Sequence, residues 1–172
     1  NTDKLLWLNQ QYIKNSTPAH VAHHLSWHMG QLGIDPAQGP ELSDVVKLQQ
    51  ERAKTLVEMA ENSRFFYQVV TEYDEKAAQK NLTASSVEIL QDMHSRLSAL
   101  PEWKAEPIHD HIKACSEAKE LGMGKVAQPI RVAITGNTVS PPLDATLELL
   151  GRERTLGAIS AVLELIKNRA ED

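Results

Sequence analysis

Apolar residues recur at helical spacing along nearly the whole chain, and no stretch of clean two-residue alternation is bounded by turn signals. That pattern limits the fold more than any other feature, because a half-buried strand needs a period of two. The chain is therefore read as all-α, built as two stacked helical subdomains. Thr2 or Asp3 caps a first helix carrying Leu5, Leu6, Leu8, Tyr12 and Ile13. Thr17-Pro18 opens a second, with proline at the first helical position where its missing N–H costs nothing, and Gly33 ends it. A long helical stretch from about Glu41 to Glu61 is interrupted near Arg52 to Thr55. After the aromatic knot Phe65-Phe66-Tyr67, the polar run TEYDEKAAQKN marks a boundary, giving a first subdomain over 1–72 and a second over 73–172. In the second, Thr83 starts a helix that Pro101 closes, Pro107 starts another to about Leu121, and Gly122 and Gly124 separate it from a helix over Ala127 to Ile134. A final pair runs from Pro142 to Leu150 and from Arg152 to about Lys167.

With 172 residues a real core is available without staples. No apolar run approaches the roughly 20 residues of a membrane span, so no membrane partner is expected. The start NTDKLLWLNQ has neither a basic leader nor a secretory apolar core, and without an initiator methionine it reads as a processed product or, by preference, a segment of something longer. A single cysteine, Cys115, fits a reducing cytoplasm. The net charge of −5 argues against a phosphate-rich partner. Its distribution softens that. Residues 41–118 hold nine Lys/Arg against fourteen Asp/Glu, whereas 119–172 hold seven of each, so a locally basic face remains open in the last third.

Candidate chemistry is sparse. In PAHVAHHLSWHM, His20, His24 and His28 stand four apart with His23 beside them, a spacing able to hold zinc. No cysteine or carboxylate lies nearby to complete a tetrahedron, so no metal site is assigned and the row reads as solvent-facing or half-buried imidazoles. His111 and Cys115 are one turn apart beside Asp110, which superficially suggests an activated thiol. Nothing marks an oxyanion hole, and Cys115 reads as a small buried residue on an amphipathic helix. Phosphate-cradling loops, metalloprotease motifs and carboxylate pairs are all missing. No catalytic residue is assigned. Trp7, Trp27 and Trp103 are placed in the core, base stacking being the less common use of tryptophan on such helices.

One stretch resists a bland reading. In QPIRVAITGNTVSPPL, residues 128–143, Arg131 sits inside an apolar helix and either snorkels or meets an anion. Thr135-Gly136-Asn137 ends that helix, and Ser140-Pro141-Pro142 starts the next, with Ser140 able to cap it. A helix start presents unpaired N–H groups that suit a phosphate or a base edge. Either this is a structural corner, or it is a donor-bearing corner beside an arginine.

The last third, MGKVAQPIRVAITGNTVSPPLDATLELLGRERTL, closely resembles the C-terminal half of bacterial-type glutamyl-tRNA synthetases, whose pattern there is MGK-x₃-P-[LI]-R-x-A-x-TG, then [ST]-P-x-L and LG-[KR]-x-R. DKLLWLNQQYI and ERAKTLVEMAENSRFF agree with the same family in order and rough spacing, so the likeness runs the length of the chain. It implies an all-α anticodon-binding region for tRNA(Glu), acting as a monomer. The chain carries neither the HIGH nor the KMSKS signature of the family's catalytic half. It therefore implies no cofactor here, while the parent enzyme activates glutamate with ATP and Mg²⁺ and transfers it to tRNA. By the same resemblance, Arg52 falls where an arginine contacts the third anticodon base and helps separate glutamate from glutamine tRNA. Ser140, Pro141 and Leu143 fall at the corner where anticodon bases pack and bond. Arg131 and Lys4 fall at backbone-contacting positions. Pro142 departs from the small residue usual there, and the histidine row has no counterpart. Two other readings compete: a helical protein-interaction domain whose tRNA contacts have decayed, and a His-rich metal-binding protein.

Overall fold

The computed structural model describes residues 1–171 and is helical throughout, with no strand among them. Two compact units divide the chain, the first from Asn1 to Val69 and the second from Val70 onward.

The first unit contains α1 (Thr2–Asn15), α2 (Pro18–Gln31), α3 (Leu42–Gln49) and α4 (Leu56–Ser63). Asn1, not Thr2 or Asp3, caps α1: its side chain accepts from the Lys4 N–H at 2.9 Å. The cap sits one residue earlier because Asn is as good an N-cap as Asp and frees Asp3 for the first turn, where its charge meets the helix dipole. Thr17 caps α2 with Pro18 at its first position, and Gly33 follows its end at φ 71°. Val21, Leu25 and Met29 form the stripe of α2 that is buried against α3 and α4. Beneath α2 lie Val45, Val46, Met59 and the pair Phe65–Phe66, whose rings are 4.2 Å apart. Gly39 is required by space, since a Cβ there would run into the Phe66 carbonyl and the Tyr67 ring. Tyr67 closes the same corner by donating to the Pro40 carbonyl at 3.0 Å.

The second unit holds α5 (Glu75–Asn81), α6 (Val87–Ser98), α7 (Ala105–Ala118), α8 (Met123–Thr135), α9 (Leu143–Leu150) and α10 (Arg152–Glu171). The polar run after Tyr67 is thus not plain linker: it folds into α5, capped by Asp74, which accepts from the Ala77 N–H at 3.0 Å, with Ala77 and Ala78 buried. Two small alanines carry the apolar face, a signal too weak to stand out in a polar stretch. α8 also begins earlier than its sequence suggests. Gly122 is its cap and Gly124 lies in its first turn, where fraying backbone makes glycine cheap, and Pro129 is accommodated inside it. Leu90, Met93, Leu97, Ile108, Ile112, Ile130, Leu147 and Ile159 build the core among α6 to α10.

Candidate nucleic-acid interface

In the first unit, Arg52 sits on the exposed turn between α3 and α4. Its position is fixed from both sides. Buried Gln49 donates to Ser63 Oγ at 2.6 Å, and Gln50 reaches the carbonyls of Ile13 and Ser16 at 3.0 and 2.7 Å. The Arg52 and Ala53 N–H groups both donate to the Gln49 carbonyl, Ala53 is buried, and Thr55 caps α4. The backbone of the turn is therefore tied down on both sides, and Arg52 is an exposed residue on it. Lys4, also exposed, lies in the first turn of α1, roughly 15 Å along the helix from Lys14, which pairs with Glu51 at 3.4 Å.

In the second unit the α8–α9 corner brings Arg131, Ser140, Pro141 and Leu143 together. Half-buried Arg131 donates from Nε to Ser140 Oγ at 2.8 Å, and Ser140 Oγ donates in turn to the Pro141 carbonyl at 2.6 Å. The Nε of Arg131 thus meets a hydroxyl of the same corner. Ser140 does not cap α9. Pro142 occupies the cap position, and Ser140 stands two residues too early for its hydroxyl, already committed to Arg131 and Pro141, to reach the first turn. Thr146 Oγ1 ties α9 back by donating to the Pro142 carbonyl at 2.8 Å. Pro141 and Leu143 are buried and make the floor of the corner, whereas Pro142 and Val139 are exposed. So Leu143 offers a base no open side-chain face; the exposed apolar surface comes from its neighbours.

The loop joining the two helices is equally constrained. Thr135 Oγ1 donates to the Arg131 carbonyl at 2.9 Å and accepts from the Asn137 N–H at 3.0 Å, and Asn137 Oδ1 accepts from the Thr138 N–H. Gly136 adopts φ 80°, its carbonyl accepts from the Asp74 N–H at 2.8 Å, and a Cβ on it would stand 2.7 Å from the Glu72 carbonyl. The segment before α5 is thereby pinned to the end of α8. A pairing across this sequence distance leaves no local signal beyond the glycine itself.

A second clasp supports the corner from below. Trp103 Nε1 donates to the Leu147 carbonyl at 2.8 Å, and the Arg152 guanidinium lies 5.5 Å from the centre of the Trp103 ring while bonding the Leu100 carbonyl. The tryptophan is thus structural. Trp7 and Trp27, by contrast, are mostly exposed, which corrects their assignment to the core.

The other sequence candidates resolve differently. Cys115 is fully buried on α7. Burial, reinforced by the neighbouring Asp92 carboxylate, pushes its thiol up to about 11. An activated nucleophile needs the opposite shift. Burial alone would also raise Asp92, but hydrogen bonds from Arg96 and Cys115 and the charges of Arg96 and Lys119 outweigh it, and the net direction is down. In the histidine row, Tyr12 Oη and His20 Nε2 are 2.6 Å apart, and the His20 and His24 rings meet edge to face at 4.8 Å. No group of three or more His, Cys, Asp or Glu among the described residues is placed to hold a metal ion.

Residues 19–171 match the family model of the anticodon binding domain. The chain belongs to that anticodon-binding family. It is 55% identical over 170 residues to glutamate–tRNA ligase 1 of Nitrosococcus oceani, covering 99% of this chain and 36% of the relative. It is 52% identical over 167 residues to glutamate–tRNA ligase 2 of Halorhodospira halophila, covering 97% and 35%. A solved glutamate tRNA ligase from Elizabethkingia meningosepticum superposes with a TM-score of 0.83 at 26% identity, covering 96% of this chain and 33% of that one. The anticodon-binding domain described here thus spans about a third of the length of the relatives it matches, and its helical architecture is theirs.

Proposed function

We propose that this chain docks the anticodon loop of tRNA(Glu) on behalf of a glutamate–tRNA ligase. Arg52 reads a base edge from the α3–α4 turn, and the α8–α9 corner receives a second part of the loop. The observation that carries the reading is the clasp of Arg131 on Ser140, because a corner bonded on both sides keeps one shape before any ligand arrives, and preorganisation lowers the cost of binding. Single-stranded RNA is read by splaying bases against flat or apolar surfaces and bonding their edges. Exposed Pro142 and Val139 supply the first at this corner, and the planar five-donor fork of Arg52 supplies the second. Arg131, its Nε used to hold the corner, lends its charge to the phosphate backbone, and Lys4 contributes a further phosphate contact. Pro141 and Leu143 hold the floor level.

Glutamate activation with ATP and Mg²⁺, and transfer to the tRNA, belong to the rest of the ligase; this chain acts as a monomeric, cytoplasmic recognition region without chemistry of its own. No helix among the described residues is long and apolar enough to cross a membrane. The test is fluorescence anisotropy of the chain with tRNA(Glu) and with the same tRNA altered at single anticodon positions. We expect the altered tRNAs to bind more weakly, and Arg52→Gln to remove roughly 1–3 kcal/mol of discrimination at one position only. Equal affinity for all of them would end the proposal.

A further inference from the structure

The turn that carries Arg52 is clamped by the side chain of its first residue, and we infer that this residue, Gln50, is a positioning residue for anticodon discrimination. The inference rests on the anticodon reading above and deepens it. Gln50 is the C-cap of α3, and its backbone N–H donates to the Val46 carbonyl at 2.8 Å, so its main chain still follows the helix. Its side chain does a different job. Nε2 carries two N–H donors, which go to the Ile13 carbonyl at 3.0 Å and the Ser16 carbonyl at 2.7 Å, 37 and 34 residues away in the chain. Ile13 lies in the last turn of α1 and Ser16 is its C-cap, so both carbonyls belong to the group that a helix end leaves without an intrahelical donor. One half-buried amide therefore ties the end of α3 to the end of α1.

Arg52 stands two residues further on, and its N–H and that of Ala53 both return to the Gln49 carbonyl at 3.0 Å, so little backbone separates the clamp from the arginine. The other tie between this turn and α1 is the Lys14–Glu51 pair at 3.4 Å, whose side chains are 45% and 70% exposed. An ion pair that open to water is worth little, so it does not replace the clamp. What the clamp supplies follows from how two kinds of contact depend on geometry. A hydrogen bond to a base edge weakens steeply as its angle leaves the straight line, whereas the pull of a cation on a phosphate falls only with inverse distance. A turn loosened by about an ångström thus loses base selection before it loses affinity. Gln50 acts on selectivity through Arg52, without touching RNA itself.

The experiment titrates variants of the chain with tRNA(Glu) and with the same tRNA altered at single anticodon positions. Gln50→Met keeps the length of the side chain and removes its donors; it should lower discrimination about threefold to tenfold at the position that Arg52→Gln affects, and leave the other positions and the salt slope alone. Added to Arg52→Gln it should cost nothing more. Gln50→Ser, too short to reach either carbonyl, should behave like the methionine variant. Gln50→Lys restores donors on a slightly longer stem, and its charge acts on every tRNA alike, so discrimination should stay near that of the original chain. Equal losses at every position, a loss that adds in full to that of Arg52→Gln, or a lysine variant as poor as the methionine one overturns the inference. So does failure of both Gln50→Met and Gln50→Ser to fold, since Gln50 would then hold the whole unit and not the turn. Amide exchange without RNA separates this inference from the earlier reading. The Arg52 and Ala53 N–H groups should exchange several-fold faster in Gln50→Met while Val46 and Met59 are unchanged; unaltered exchange overturns the clamp and leaves the anticodon reading standing, whereas full discrimination in Arg52→Gln sinks that reading and this one with it.

Discussion

Arg131 Nε donates to Ser140 Oγ, yet the two residues have separable jobs. Arg131 brings a charge as well as a donor, whereas Ser140 brings only the hydroxyl that links it to the Pro141 carbonyl. Removing a cation that meets phosphate weakens every tRNA alike and flattens the salt dependence, because fewer counterions are released on binding. Arg131→Ala should therefore lower the slope of log affinity against log salt by about 0.7–0.9 for one lost contact with single-stranded RNA or a duplex. Ser140→Ala should weaken binding through a looser corner while the slope stays as it was. Anisotropy titrations across a salt series distinguish the two, and a slope unchanged in Arg131→Ala would remove that residue from the phosphate backbone. The arginine was legible in the sequence as an anomaly, a charge inside an apolar run. Its partner was not, because a hydroxyl nine residues away that is also a plausible helix cap gives no local sign of which job it does.

At the scale of elements, the corner depends on how α8 stops. Gly136 looks like an ordinary left-handed helix terminus, a position where asparagine is a common substitute. Its surroundings say otherwise, since any Cβ there meets the Glu72 carbonyl at 2.7 Å, and its own carbonyl holds the Asp74 N–H. We therefore expect Gly136→Asn to be about as damaging as Gly136→Ala. The left-handed backbone alone costs an alanine about 1–2 kcal/mol, and the close approach adds to it. Urea unfolding of the two variants measures this; an asparagine variant as stable as the original chain would reduce Gly136 to a plain cap. Long amphipathic elements such as α2, α6 and α7 were readable because their stripes of Val, Leu, Ile and Met repeat over three or more turns. α5 was missed because its buried face is two alanines, and α8 was placed too late because Gly122 and Gly124 read as separators although one caps the helix and the other lies in its fraying first turn. The α3–α4 break was visible, but the Gln49–Ser63 and Gln50–Ile13 bonds that make the turn rigid join residues far apart in the chain, so its stiffness was not.

For the whole molecule, two units with separate cores carry different titratable groups, and their response to alkaline pH should differ. Cys115 lies in the core of the second unit, and burial lifts its thiol from an ordinary value of 9.0 to about 11. Between those values the unfolded chain has lost the proton and the folded one has kept it. The stabilisation is thus fully present below about pH 9 and is lost as pH rises through about 11. Tyr73, raised by burial in the same unit, adds a further loss only once pH passes the ordinary tyrosine value of 10.0. The first unit has no cysteine; its buried phenol, Tyr67, is also raised, chiefly by burial and then by Glu41 and Asp44, so its loss likewise begins only near pH 10. Denaturant unfolding followed by amide exchange in each unit should then show the second unit weakening from pH 9 to 10 while the first holds. Cys115→Ala should remove that early fall and keep the later one due to Tyr73. If both units weaken together from pH 9, or if the alanine variant falls as the original does, the thiol is not the group responsible and the burial argument for Cys115 fails with it.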